Sequence, residues 1–260
     1  MPRTGKTALV TGASAGLGAQ FARLFAADGH DVVLVARRRD KLDQLATELS
    51  QAHGIHPTVI AADLTDPKAS PHLHEELIQA GIEVEFLVNN AGFATNGAFA
   101  ELELARGLDM IELNIMALTH LTGLFLPAMI TRRSGRILNV SSMAGFLPGP
   151  FMATYYASKA YVLSFTEALA HELRGTGVTA TVLCPGPTAT EIFQVADAEN
   201  SVLAKGHLAD AASVALYGYR SMLSGKTIAI PGMPNKLARQ ALRVSPRSAM
   251  RELAERLNKP

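Results

Sequence analysis

Thr7-Ala8-Leu9-Val10-Thr11-Gly12-Ala13-Ser14-Ala15-Gly16-Leu17-Gly18 decides how the rest of this chain is read. An apolar run ends in a glycine cluster, and Leu17, Phe21, Leu24 and Phe25 then recur at helical spacing. Strand, tight turn and helix therefore follow one another directly. Glycine lets a backbone turn sharply and come close to a pyrophosphate. The helix that opens behind it offers unpaired N–H groups and the positive end of its dipole to phosphate oxygens. The spacing through Gly12, Gly16 and Gly18 is Gly-x-x-x-Gly-x-Gly, not the Gly-x-Gly-x-x-Gly of the general dinucleotide fingerprint. A glycine cluster by itself fits any strand-to-helix turn. Its place in a strand–turn–helix near the chain start makes Gly12, Ser14, Ala15, Gly16, Leu17 and Gly18 candidate cofactor contacts.

Outward from that turn, short β-branched runs alternate with longer helical stretches. Strands are expected over residues 6–11, 31–36, 58–62, 85–89, 135–141, 178–184 and 227–230. Helices are expected over 16–28, 41–53 (with Asp40 as its cap), from 66–67 to about 80, over 102–115, 116–132, 154–174 and 210–223. The strands are mostly solid apolar runs, as in a parallel sheet covered on both faces. The fold expected is α/β: a single doubly wound, Rossmann-like, parallel seven-stranded sheet with helices on both faces. Residues 1–233 form the catalytic domain, and 234–260 a helical extension packed on or near it. There is no internal repeat and no second composition regime.

Composition narrows the function. Of 260 residues, 48% are hydrophobic and 18% charged, which is globular rather than disordered. A net charge of +1 gives no bulk attraction to nucleic acid or acidic lipid. The single cysteine, Cys184, suits a reducing compartment and reads as a core thiol. The apolar stretch at 7–10 is too short for a signal-peptide core, and no run approaches the length of a membrane span. The expected location is cytoplasmic. His53, His56, His72 and His74 are scattered without metal-ligand spacing, so no metal site is expected.

The second strand ends in Val35-Ala36-Arg37-Arg38-Arg39. Folds that bind NAD place an acidic residue there for the ribose 2′-hydroxyl. Here no carboxylate stands to repel a phosphate, and a guanidinium is a planar fork that suits one. NADP(H) is expected over NAD(H), with Arg37 the first choice, Arg38 the second, and Arg39 a surface residue. Three arginines in a solvated loop would read the same way.

Tyr155-Tyr156-Ala157-Ser158-Lys159 holds one Tyr-x-x-x-Lys pair, since Ala160 stands four residues after Tyr156. At that spacing Tyr155 and Lys159 share a helix face. A nearby ammonium favours phenolate and is expected to lower the tyrosine pKa toward working pH. The tyrosine could then give a proton to a carbonyl oxygen or take one from an alcohol. Ser141 and Ser142 stand at the C-terminal end of the fifth strand, where open α/β sheets place ligands. A hydroxyl there could bond a substrate oxygen as charge develops. Alone, Tyr-x-x-x-Lys is common and mostly structural.

These motifs together resemble the short-chain dehydrogenase/reductase family, from about Thr7 to Ile230. Residues 11–18 resemble its cofactor turn, and Asp63-Leu64 stands where the family binds adenine. Asn89-Asn90-Ala91-Gly92 resembles its strand-four motif, which stabilises the sheet and lines the cofactor. Asn114 matches the asparagine that helps hold a water in the proton relay, and Ser142, Tyr155 and Lys159 complete that tetrad. The family's serine-to-tyrosine spacing favours Ser142 over Ser141. Pro185-Gly186-Pro187-Thr188-Ala189-Thr190 resembles the loop at the nicotinamide carboxamide, with Pro185, Gly186, Thr188 and Thr190 as contacts. The resemblance gives Lys159 a second task, bonding the nicotinamide ribose. The turn departs from many NADP-preferring members, which carry a basic residue where Ala15 stands.

The function implied is hydride transfer between NADP(H) and a small carbonyl or alcohol substrate with an apolar portion. A 3-oxoacyl thioester reductase is the alternative enzyme, and a cofactor-sensing scaffold without chemistry the alternative of another class. Residues 191–208 are expected to form a substrate lid carrying Ile192, Phe193, Val195, Val202 and Leu203. A homodimer or homotetramer is the family-level expectation, through the helix before the fifth strand and the Tyr155 helix. The tail from Lys236 to Lys259 alternates arginines with leucines and reads as a surface helix, with membrane contact the lesser reading.

Overall fold

The computed structural model describes residues 4–259 apart from 197, 199–201, 203–205 and 207. Leu203, one of the expected lid residues, therefore lies outside the described residues. Seven strands form one parallel sheet in the order β3-β2-β1-β4-β5-β6-β7: β1 (Thr7–Thr11), β2 (Asp31–Ala36), β3 (Thr58–Ala61), β4 (Val84–Asn89), β5 (Gly135–Val140), β6 (Val178–Leu183) and β7 (Ile228–Ala229). The helices are α1 (Gly16–Ala27), α2 (Arg39–His53), α3 (Ala69–Gln79), α4 (Leu104–Ile111), α5 (Leu118–Thr131), α6 (Ala153–Glu172), the short α7 (Ile192–Val195), α8 (Ala211–Leu223), α9 (Met233–Val244) and α10 (Arg247–Asn258).

Successive strand residues point to opposite faces, so each solid apolar strand feeds two cores. Ala8, Val10, Val32 and Leu34 pack with Phe21, Phe25 and Leu42 of α1 and α2, and with Val214 and Tyr219 of α8. Leu9, Val33, Val35 and Leu87 pack with Leu73, Leu77, Leu121, Phe125 and Leu169 of α3, α5 and α6. The helices thus cover both faces, as the sequence predicts. Chain order reverses between β1 and β4. Such a switch point leaves a crevice at the carboxyl ends of the strands, and the site lies there.

Buried polar side chains tie the centre of the sheet to its helices. Asn89 Nδ2 donates to Asn139 Oδ1 (2.9 Å) and Thr122 Oγ1 (3.1 Å), and Asn139 Nδ2 donates to Thr166 Oγ1 (2.9 Å). One network therefore joins β4 and β5 to α5 and α6.

Four expectations are corrected. Asp40 is not a cap: α2 begins at Arg39 with no side-chain cap, and Asp40 lies in its first turn. The cap of that kind is Asp210, whose carboxylate accepts from Ser213 N (2.8 Å) at the start of α8. The two helices expected over 102–132 are one, because a π turn over Glu112–Ala117 joins α4 to α5 without a break. The joined helix, Leu104–Thr131, has the length and composition of a membrane span, which the sequence reading excluded. It buries Met110, Leu118, Leu121, Phe125 and Met129 and packs along β4 and β5, as a layer helix of the sheet. The tail is not one surface helix but two, broken at Ser245-Pro246. Helix α9 buries none of its residues, whereas α10 buries Met250, Ala254 and Asn258.

Candidate active site

A cavity of about 490 Å³ runs along the carboxyl ends of the strands, from Arg37 and Asp63 at one end to Phe193 and Leu257 at the other. Its inner end is made of backbone. Gly12 (φ +67°) and Gly16 (φ +52°) adopt left-handed conformations that favour glycine, and a Cβ on Gly12 would meet Asn90 Nδ2 at 2.8 Å. Helix α1 starts at Gly16 with Ala15 before it and no side-chain cap, so its first N–H groups stay available to a ligand. Asn90 Nδ2 bonds Thr11 O (2.9 Å), and the N–H groups of Asn90 and Ala91 both donate to Thr11 Oγ1 (3.0 Å each). The turn and the strand-four motif are thereby held against each other. A slot of glycines and a bare helix N-terminus, with cations at its far end, fits the pyrophosphate and ribose of a nicotinamide dinucleotide.

Those cations are Arg37 and Arg38. Arg37 Nη1 lies 3.9 Å from Asp63 Oδ2. Arg38 Nη2 donates to Ser14 Oγ (3.1 Å) and to Glu191 Oε2 (2.8 Å), bridging the glycine turn to the start of α7. The sequence reading ranked Arg37 first; Arg38 makes the closer contacts to the turn. Exposed ion pairs of this kind contribute about 0–1 kcal/mol, so an incoming phosphate displaces them at little cost.

At mid-cavity Tyr155 and Lys159 rise from the same face of α6, and Lys159 Nζ lies 5.7 Å from the Tyr155 ring centroid. Lys159 Nζ donates to Val140 O (2.9 Å) at the end of β5. Ser142 follows that strand; its hydroxyl donates to Pro185 O (3.5 Å), accepts from Ala144 N (3.1 Å) and lines the cavity together with Tyr155. Ser141 points into the protein and donates to Lys159 O (2.7 Å). Geometry thus separates two serines that the residues alone left in competition.

The expectation that the ammonium lowers the tyrosine pKa is corrected. Burial pushes Tyr155 up to about 12, with the Ser142 hydrogen bond pulling the other way. Burial pushes Lys159 down to about 8. Desolvation dominates both because the site is enclosed, and the ammonium is directed at Val140 O. Tyr155 is therefore a neutral phenol at pH 7, ready to donate a proton.

Asn114 sits in the π turn and is 1% exposed. Its Oδ1 accepts from Phe93 N (3.1 Å), and its Nδ2 donates to Phe93 O (3.0 Å) and Ser158 Oγ (3.0 Å). A π turn adds a residue to the helix and often marks a functional position. Here it sets Asn114 against Gly92, where a Cβ would lie 2.8 Å from Asn114 Oδ1 and 3.4 Å from Lys159 Nζ.

Residues 6–201 match the family model described as short chain dehydrogenase. The chain belongs to that family. It is 41% identical over 189 residues to sulfoacetaldehyde reductase 2 of Chromohalobacter salexigens, covering 72% of this chain and 74% of the relative. It is 39% identical over 178 residues to a very-long-chain 3-oxoacyl-CoA reductase of Phaeosphaeria nodorum, covering 67% of this chain but only 52% of the relative. A short-chain dehydrogenase from Sphingobium yanoikuyae in complex with NADPH superposes with a TM-score of 0.82 at 32% identity, covering 94% of this chain and 97% of that one.

Against this family background, most expected site residues line the one cavity: Gly12 and Ser14–Leu17 of the turn, Arg37, Arg38, Asp63, Leu64, Asn90, Ala91, Gly92, Ser142, Tyr155, Lys159, Pro185, Gly186, Thr188 and Thr190. Two do not. Gly18 is buried in the first turn of α1, where a Cβ would lie 2.2 Å from Gly12 O, so its task is close packing. Asn114 stands behind the wall formed by Gly92 and Phe93. Of the expected lid residues, Ile192, Phe193 and Val195 line the cavity, whereas Val202 is 58% exposed. Leu147, Met152, Tyr156 and Leu257, which line the outer half, are not singled out by any motif in the sequence. Only their apolar character pointed anywhere, and it fits a core equally well.

Proposed function

We propose that this chain reduces a ketone or aldehyde with an apolar portion, using NADPH, with Tyr155 as the proton donor. One observation carries the reading: a neutral Tyr155 phenol, with Ser142 beside it in the lining and Lys159 behind it, faces a cavity that starts in a phosphate-binding turn. A bound nicotinamide supplies the hydride. Gly12, Ser14 and the start of α1 would hold its pyrophosphate, Arg37 and Arg38 would hold a 2′-phosphate, and Thr188 and Thr190 would lie beside the nicotinamide. Ser142 and Tyr155 both hydrogen-bond the carbonyl oxygen, and Tyr155 gives up its proton as negative charge develops there. Lys159 and Asn114 belong to the path that returns that proton.

NADPH rather than NADH is supported by two arginines and the lack of a carboxylate at the end of β2. The outer half of the cavity, with Leu147, Met152, Phe193 and Leu257, favours an apolar substituent on the carbonyl. That surface also suits a 3-oxoacyl thioester, the second reading, which the name of the Phaeosphaeria relative supports. A carbonyl and alcohol panel with NADPH and NADH in parallel tests the proposal. Turnover with NADPH and an apolar ketone is expected, and no turnover of any carbonyl would leave the scaffold reading standing.

The assembly proposed is a homodimer or homotetramer. Leu104, Leu108, Met116 and Tyr161 expose large apolar surfaces on the α4 and α6 side, and Ala153, Ala157 and Ala168 face outward beside them. Sedimentation velocity tests it; a monomer at micromolar concentration counts against it. A cytoplasmic location is proposed with it, since the buried Cys184 thiol has no cysteine to pair with.

A further inference from the structure

Helix α10 lies outside the segment that the family model matches, yet it reaches the cavity. Asn258 at its end is fully buried. Its Oδ1 accepts from Tyr156 Oη (3.0 Å), its Nδ2 donates to Pro150 O (3.0 Å), and its carbonyl accepts from Asn96 Nδ2 (2.8 Å). One residue earlier, Leu257 lines the cavity. One turn earlier, Ala254 is fully buried against the apolar cluster of Met152, Tyr156 and Ala196.

The three partners of Asn258 belong to three different segments of the cavity rim. Asn96 also donates its N–H to Ala196 O (3.1 Å), just after α7, and Gly97 N donates to Phe151 O (2.8 Å). Phe151 has a φ of +64°, in the left-handed region that a non-glycine residue seldom holds unless its surroundings impose it. Gly149 lies flat on the Tyr156 ring, where a Cβ would approach to 2.2 Å. The buried amide of Asn258 therefore joins residues 148–152 to the start of α6, and its main-chain carbonyl holds Asn96. A buried amide left without its partners is strongly unfavourable, so the arrangement holds together or opens as a unit.

We propose that Asn258 is the positioning residue of the substrate pocket: it locks these rim segments to the end of α10 and so makes Leu257 the wall that limits substrate size. The inference rests on the carbonyl-reductase reading of the same cavity. Neither residue is part of the glycine turn or of the Arg37/Arg38 end, so the affinity for NADPH should stay near wild type.

The full chain is assayed with NADPH against butan-2-one and decan-2-one, and NADPH affinity is followed by its fluorescence. Leu257→Trp is expected to lower kcat/KM for decan-2-one about tenfold relative to butan-2-one, the scale at which a pocket discriminates apolar groups. Asn258→Ala is expected to raise KM for decan-2-one by a similar factor with little change in kcat. Asn258→Asp, which keeps the acceptor for Tyr156 but not the donor to Pro150, should fall between. In Asn258→Ala, which keeps the main-chain carbonyl that bonds Asn96, hydrogen exchange should quicken at residues 148–152 and at Gly97, whose N–H is held by Phe151 O, and stay unchanged in β1 and β4. An unchanged ratio between the two ketones in Leu257→Trp overturns the inference, as does unchanged exchange at the rim. If wild-type protein reduces neither ketone, the carbonyl reading fails, and exchange alone still decides for or against the Asn258 lock.

Discussion

The two halves of the cavity are built by different means. The half at the carboxyl ends of β1, β2 and β4 is mostly backbone: left-handed glycines, a bare helix N-terminus, and side chains such as Asn90 and Thr11 that serve only to hold main chain to main chain. The half beyond Tyr155 is side chain: Leu147, Met152, Phe193 and Leu257, brought in by loops and by α10 and joined through Asn258. A ligand shared across a family needs a fixed cradle, and backbone supplies one that most substitutions leave alone. A substrate pocket is shaped by apolar side chains, and each of them can be exchanged without disturbing the sheet. The chemistry sits on the border, where Tyr155 has the polar half on one side and the apolar cluster on the other.

Breaking the border itself should give the largest effect. Tyr155→Phe removes the proton donor and leaves the glycine cradle intact, so turnover should fall by about 10³-fold, within the usual range for a general acid, while NADPH affinity is retained. Steady-state rates and NADPH fluorescence titration measure the two halves separately; loss of both together would contradict the division. The pH profile gives the sign. Tyr155, pushed up to about 12, stays protonated across neutral pH, whereas Lys159, pushed down to about 8, is charged only below that value. Reduction should therefore hold steady at pH 6–7 and decline as pH rises through about 8. A profile still rising at pH 9 would assign the proton to another group.

Much of the cradle was legible in the sequence because its determinants are local. The residues 11–18 turn, the Asn89–Gly92 motif and the Tyr155/Lys159 spacing are each set by fewer than ten neighbouring residues. The parallel, doubly wound sheet followed from solid apolar runs alternating with helices, whereas the strand order is read from the structure. What escaped was set by distance in the chain. Asn258 contacts residues 96, 150 and 156, none of which signals a partner more than one hundred positions away. The π turn at Asn114 escaped because it follows from packing against Gly92 and Phe93, not from helical periodicity. The reversed tyrosine shift escaped because burial, invisible in a spacing, outweighs an ammonium directed elsewhere.

The arginines should break the cradle at its cofactor-selecting end only. Arg37→Ala with Arg38→Ala removes both charges proposed to meet a 2′-phosphate. KM for NADPH should rise about 10- to 100-fold, the scale of one or two charge-assisted hydrogen bonds, with KM for NADH little changed. Parallel kinetics with the two cofactors check this, and an equal rise for both would place the arginines in general binding. Arg38→Ala also frees Glu191 of α7, so of the two single variants it should disturb apolar substrates more.

Gly92→Ala tests how closely the cradle is fitted to the chemistry. The new methyl would lie 2.8 Å from Asn114 Oδ1, which is fixed by its bond to Phe93 N, and 3.4 Å from Lys159 Nζ. The Asn114 amide must shift, while Lys159 Nζ is left at ordinary contact distance. A displacement of a few tenths of an ångström at a catalytic group should cost about tenfold in kcat, with little change in KM for an apolar ketone. A change confined to KM would show that Gly92 serves substrate binding instead.

The smallest effect separates two aspartates at the starts of α2 and α8, helices on the same face of the sheet. Asp40 lies in the first turn of α2, beside the arginines, and caps nothing. Asp210 opens α8 just past the lid, where its carboxylate accepts from both Ser213 N and Ser213 Oγ at 2.8 Å. Its backbone neighbour Ala209 pairs with Thr188 and bonds Ala189 and Pro187, so this cap adjoins the tie between residue 209 and residues 187–189. Asp210→Ala should lower Tm measurably, whereas Asp40→Ala, which loses only a dipole contact, should change it less. The Ser213 hydrogen bonds hold the Asp210 carboxyl below its ordinary value of 3.8. A depressed carboxyl stabilises the fold above its unfolded value and loses that contribution as pH falls through its folded value. The gap in Tm between the two variants should thus be full at pH 7 and close below pH 3.8. A gap that persists in acid would mean that Asp210 acts through packing rather than through its charge, and that tie would then rest on the Thr188–Ala209 pairing alone.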